Sequence, residues 1–172
     1  MSAIEVLRAT IPEHSQDIQH NLAKVFADAT LSSTQLWGTA LACALTTRHD
    51  ALVSAVLTDA RTAGVRHDAL DDACSAASLM AMTNVFYRFK HFMADEELEK
   101  MPARLRMKRS ARPAGDPRDF ELFCVAVSAM NGCASCVRHH SAAALDRGLT
   151  RTQLADGVRI GATLAAVAVA LG

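Results

Sequence analysis

Cys133 and Cys136 stand three residues apart, His140 follows the second by four, and Glu121 precedes the first by twelve. Between them Asn131-Gly132 is a strong turn dipeptide, so one helix is expected to end there and another to begin at or near Cys133. At about 100° per residue, Cys133, Cys136 and His140 then fall within roughly 60° of arc and share one helix face. Thiols in a first helical turn meet unpaired backbone N–H groups and the positive end of the dipole, which stabilise thiolate. Cysteines so placed in Cys-x-x-Cys pairs have pKa values of about 3.5 to 7.5, against about 8.5 for a free thiol. The three-residue spacing also lets the two sulfurs approach bonding distance with little backbone movement. His140 can accept a thiol proton, directly or through water, and Glu121 can orient it or complete a relay.

Three readings compete for this cluster. A zinc site would use Cys133, Cys136 and His140 and would need Glu121 or Cys124 as a fourth ligand, since no second Cys-x-x-Cys exists. Core cysteines followed by a surface histidine form the bland reading. A redox-active dithiol is the preferred one, though not of the thioredoxin kind, because no βαβ pattern surrounds the motif. The remaining cysteines, Cys43, Cys74 and Cys124, stand alone among Ala, Leu and Val and read as small core hydrophobes. His14, His20, His49, His67 and His91 default to surface or capping roles.

The elements around the motif all read as helices. Ile4 to Leu7 makes a short helix, Ile11-Pro12 a break, and Asp17 to Phe26 a second helix, with Pro12 suited to a helix start. Ser32 to Gln35 offers an N-cap for the apolar run to Leu45. Ala51 to Thr62 is stopped by Gly64, and Asp68 to Tyr87 is long, with Leu70, Ala73, Ala77, Met80 and Ala81 on one face. Asp119 is expected to cap a helix of about three turns running to Asn131-Gly132.

From about 91 to 118 an acidic run gives way to Lys100, Arg104, Arg106, Lys108, Arg109 and Arg112, then to Pro113-Ala114-Gly115-Asp116-Pro117. Without interleaved aromatics this reads as a solvated connector rather than a nucleic-acid site, and it leaves docking of an acidic protein partner open. The chain is thus taken as a single domain, 1–172, with an N-terminal half of about 1–90, the connector, and a C-terminal half of 119–172 that carries the cysteines.

Composition supports an all-α fold. Of 172 residues 51% are hydrophobic but only 5% aromatic, so Ala, Leu and Val must build the core, which suits closely packed helices. Lys plus Arg and Asp plus Glu are both 18, a balance that argues against nucleic-acid and membrane-surface partners. The first residues lack the basic and apolar regions of a signal peptide, and Ala29 to Thr47 is interrupted by polar residues, so a cytoplasmic location is expected.

The two halves also resemble each other. Gln35-Leu36-Trp37 aligns with Glu121-Leu122-Phe123, and Gly64 to Leu70 aligns with Gly148 to Leu154, which suggests an internal duplication of one helical unit. In that alignment Thr47 and Asp50 match Cys133 and Cys136.

Glu121, Cys133, Cys136 and His140, set within Phe120-Glu121-Leu122 and Val127-Ser128-Ala129 ahead of Asn131-Gly132, resemble the alkylhydroperoxidase D (AhpD) family. The likeness extends to Gln35 to Thr39 and to Met82 to Arg88. It implies an all-α duplicated fold assembled as a trimer, no bound cofactor or metal, and lipoyl-dependent peroxidase activity. Dihydrolipoyl groups on the acyltransferase of 2-oxoacid dehydrogenases would reduce the dithiol, which would reduce hydroperoxides or an AhpC-type peroxiredoxin. By the same resemblance Cys136 is the thiol oxidised to sulfenic acid, Cys133 the proton donor that closes the disulfide, and His140 with Glu121 the relay. The family often has histidine before the second cysteine, where this chain has Ser135. Carboxymuconolactone decarboxylases look like distant relatives, but they do not depend on a Cys-x-x-Cys pair.

Overall fold

Asp119 through Ser128 are all buried, so the helix that carries them is enclosed on every side rather than laid on a surface. A computed structural model describes all 172 residues as helices and turns. In order these are α1 (Ala3–Arg8), a 3₁₀ turn (Glu13–Ser15), α2 (Gln16–Ala27), α3 (Ser33–Thr47), α4 (Asp50–Thr62), α5 (His67–Met93), α6 (Glu96–Lys100), α7 (Lys108–Ala111), α8 (Pro117–Met130), α9 (Ala134–Asp146) and α10 (Arg151–Ala170). The central α8 packs against α3, α5, α9 and α10, while α4 lies on α3 and α1 on α4. One core cluster of 30 buried residues runs from Ile4 to Val167.

Small residues let these helices approach closely. A Cβ on Gly38 of α3 would lie 2.2 Å from Cζ of Phe123, and one on Gly157 of α10 would lie 2.8 Å from Cδ1 of Leu122. Leu122 and Phe123 sit on α8, so the central helix presses large side chains into backbone notches on both neighbours. The long apolar helix α10 has the length and composition of a membrane span, but one face of it, Gly157, Ile160, Gly161, Leu164 and Val167, is buried against the rest of the protein.

Most helix ends follow their local signals. Ser32 and Gln35 form a reciprocal capping box on α3, and His49 accepts from the Leu52 N–H to cap α4. Gly64 adopts φ +74 after α4, where the Val65 N–H reaches back to the Ala60 carbonyl.

Four expectations need correction. Pro12 does not open α2 but precedes the 3₁₀ turn, and α2 begins at Gln16. The long helix continues six residues past Tyr87 to Met93, because Ala94 takes the left-handed conformation that stops it, with no glycine or proline to mark the end. The cap of α8 is Asp116, whose carboxylate accepts from the Arg118 N–H, with Pro117 at the first helical position; Asp119 lies inside the helix and accepts from Gln35 Nε2 at 2.9 Å. Cys74 is exposed rather than core, whereas Cys43 and Cys124 are buried.

The connector is more structured than a solvated linker, with α6 and α7 inside it. Asp72, buried on α5, accepts from the Ala114 and Gly115 N–H groups and pairs with Arg109 Nε at 2.8 Å. Lys90 Nζ donates to the carbonyls of Glu99 and Met101. Buried charge thus straps the connector to α5.

Two tests follow from this packing. Gly38→Ala should cost about 1–3 kcal/mol in denaturant unfolding, because the core around Phe123 cannot yield, and Phe123→Leu in the same chain should return part of it. An unchanged midpoint for Gly38→Ala would show that the α3–α8 notch is not tight. The second test concerns Asp119, whose carboxyl is pushed up by burial, against the opposing hydrogen bond from Gln35. The folded chain therefore holds that proton more tightly than the unfolded one, and stability falls as pH rises from the ordinary 3.8 through the raised value. Asp119→Asn keeps an acceptor for Gln35 and removes the titration. Its Tm should match that of the parent in acid and exceed it at neutral pH; a constant difference across the range would refute this account.

Candidate active site

The site begins where α8 ends. Gly132, at φ +66, occupies the left-handed position after the last turn, the Gly132 N–H bonds to the Ala129 carbonyl, and the Cys133 N–H bonds to the Ser128 carbonyl. This paired arrangement closes α8 and leaves Cys133 as the N-cap of α9, so the second helix starts where the sequence places it. Cys136 follows as its third residue. The two cysteines close a disulfide across this first turn with their Cα atoms 5.3 Å apart, inside the usual range for such bonds.

Long-range contacts fix the turn. Asn84 on α5 donates to Ser128 Oγ at 3.1 Å and accepts from Asn131 Nδ2 at 3.0 Å, and the Arg88 guanidinium donates to the Asn131 carbonyl. Both side chains lie in the Met82 to Arg88 stretch quoted above for its resemblance, to which the sequence assigned no role.

The return of α9 along α8 brings His140 to Glu121. His140 Nδ1 and Glu121 Oε2 are 2.7 Å apart, and both residues are buried. The other carboxylate oxygen faces Arg147 Nη1 at 3.9 Å. Sequence reasoning missed Arg147, although its spacing of seven from His140 puts it two turns on along the same face. His139 stands edge-on to His140 with ring centroids 5.1 Å apart. Ser135 Oγ lies 3.5 Å from Cys133 Sγ, so the residue in the position of the family histidine touches the dithiol as a weak hydrogen-bonding partner.

Cys136, His140 and Glu121 open onto a cavity of about 520 Å³ whose walls also include Met80, Thr83 and Tyr87 of α5 and Glu99, Met107, Ser110 and Ala111 of the connector. Cys133, 1% exposed, is not among its walls. The connector, read from sequence as solvated, therefore supplies one side of the site. No residue pattern announces this, because it depends on the Asp72 and Lys90 anchors.

The four candidate residues thus meet in one place. The two buried cysteines outside the pair are held away from reactivity: burial pushes the Cys43 thiol up to about 12, and burial with the charges of Glu121 and Asp72 raises Cys124 well above its usual value. Cys74 is also raised, by partial burial and then by Asp71. No group of three or more His, Cys, Asp or Glu side chains is arranged to hold a metal ion.

The carboxymuconolactone decarboxylase family matches residues 96–171. The alkyl hydroperoxide reductase AhpD of Anaeromyxobacter dehalogenans strain 2CP-1 is 45% identical over 171 residues, covering 99% of this chain and 91% of its own. The proteins of that name from Azorhizobium caulinodans and Solibacter usitatus are 41% and 40% identical, each over 98% of this chain and at least 93% of theirs. Identity at this level along nearly the whole length, with an all-α fold around the dithiol, shows that the chain belongs to the AhpD family of oxidoreductases.

Proposed function

We propose that this chain is a lipoyl-dependent thiol peroxidase in which Cys136 attacks the peroxide and Cys133 resolves the product. The observation that carries the reading is the asymmetry of the pair: Cys136 lines the cavity beside His140, and Cys133 does not. A hydrogen bond to a charged partner, about 1.5–3 kcal/mol, also outweighs a dipole effect of about 0.3–1 kcal/mol that barely distinguishes residues three apart.

In this scheme His140, held by Glu121, takes the Cys136 thiol proton. The thiolate attacks one peroxide oxygen, the O–O bond breaks, Cys136 becomes a sulfenic acid, and the alkoxide leaves as alcohol with the proton of Cys133. The Cys133 thiolate then attacks the Cys136 sulfur and displaces hydroxide, which departs as water with the proton from His140. Two electrons from a dihydrolipoyl group reopen the disulfide and form the cyclic lipoyl disulfide. The same dithiol can reduce an AhpC-type peroxiredoxin. Assays with dihydrolipoamide, with and without that partner, separate direct peroxide turnover from electron transfer. A decarboxylase reading has less support, since it leaves the Cys133–Cys136 pair without a task.

The exposed apolar residues Phe89, Phe92 and Met93 at the end of α5, with Met101, support association of copies, and a homotrimer is the assembly the family implies. A cytoplasmic setting suits a dithiol that must be re-reduced.

Two experiments test the scheme. His140→Phe should slow peroxide turnover by about 10²–10⁴-fold at neutral pH and recover in part at alkaline pH, where the thiolate forms unaided. An unchanged pH profile would remove His140 from the relay. In Cys133→Ser, a sulfenate-selective reagent should label Cys136 after peroxide treatment, whereas Cys136→Ser should give no label on Cys133. Mass spectrometry showing labelled Cys133 alone would reverse the assignment.

A further inference from the structure

A second cavity, of about 410 Å³, lies on the other side of α5 from the dithiol site. Arg48 and Arg88 stand on its walls, with Thr46, Ser78 and Asn84 as further polar groups and Leu45, Ala77, Ala81 and Val85 as an apolar floor. No acidic residue lines it, and neither guanidinium is paired with a carboxylate; Arg88 donates only to the neutral Asn131 carbonyl. Two guanidiniums without carboxylate partners over an apolar floor make a concave surface suited to an anion. Arg48 also adopts φ +59 at the end of α3, a left-handed conformation that suits glycine and costs an arginine.

We infer that this cavity binds a small amphipathic anion, a carboxylate or phosphate monoester with a short alkyl body, between Arg48 and Arg88. The anionic head meets the two guanidinium forks, and the alkyl part lies along Ala77, Ala81 and Val85. The size of the cavity falls within the range of small-molecule sites, about 300–1,000 Å³. The inference is independent of the peroxidase reading, although Arg88 and Asn131 belong to both this cavity and the turn before Cys133.

Cys74 lines the same cavity and reports on it. In the oxidised protein Cys133 and Cys136 are bonded and Cys43 and Cys124 are fully buried, so Cys74 is the accessible thiol. The test measures the rate at which N-ethylmaleimide modifies Cys74 in the full-length oxidised protein, at constant ionic strength and below micelle-forming concentrations. Octanoate or octyl phosphate should slow modification by about tenfold at ten times its Kd, the more protective of the two identifying the head group. Octanol and chloride should give no protection. Arg48→Gly should abolish the protection while leaving Tm unchanged or raised, since glycine relieves the backbone. Equal rates with and without either amphiphile, equal protection by octanol, or protection that survives in Arg48→Gly would each overturn the inference. Dissociation of copies in Arg48→Gly with no amphiphile effect in the parent protein would instead make this face a contact between subunits.

Discussion

The left-handed turn at Gly132 is the constraint on which the site depends. A side chain there would strain the backbone, and without that turn α8 could not stop at Met130 and α9 begin at Ala134. Because the Cys133 N–H is bonded back to Ser128, Cys133 both ends the motif that closes α8 and caps α9. The thiols reach the first turn of a helix for that reason. The same reversal folds α9 along α8, and this brings His140 from the second helix to Glu121 of the first. A flexible link of similar length would allow these encounters but would not hold them as the proposed proton transfer requires.

Holding the turn draws on the rest of the fold. Asn84 and Arg88 grip it from α5, and α5 is in turn strapped to the connector by Asp72 and Lys90. Aspartates recur in this role: Asp59 receives the Ala3 and Ile4 N–H groups at the start of α1, and Asp156 receives Thr30. Each is a buried or nearly buried carboxylate that accepts N–H groups from a distant segment, so its desolvation is offset by charge-assisted hydrogen bonds. Such bonds fix where segments dock, in a core whose small Ala and Gly side chains specify position weakly.

What could be read from the sequence was what is local. Ser32 with Gln35, Gly64, and Asn131-Gly132 each mark a boundary through backbone chemistry within a few residues, and all three boundaries fall where they were expected. The candidate cluster was legible for the same reason, since its spacing is helical. Asp119 was misread although Asp116-Pro117 is the better local signal: an N-cap followed by proline at the first position outweighs an aspartate three residues on. The exposure of Cys74 was hidden because an Ala-rich helix gives little contrast between faces. The connector's place in the cavity wall was not local at all, and only the docked structure reveals it.

The turn between α3 and α4 shows how little of the chemistry belongs to the architecture. There too a helix ends, reverses and restarts, and the N-cap position that Cys133 holds on α9 is held on α4 by His49. Counting on from each cap, Cys136 corresponds to Leu52 and His140 to Val56, and both of those aliphatic side chains are fully buried. The first turn uses Arg48 in the left-handed region where the second uses glycine, and it presents no thiol to any cavity. The positions counted from each cap therefore hold core aliphatics after one turn and a cysteine and a histidine after the other. In the proposed scheme reactivity follows from Glu121, Cys133, Cys136 and His140 and from the cavity onto which all but Cys133 open, while the helices around them supply only position.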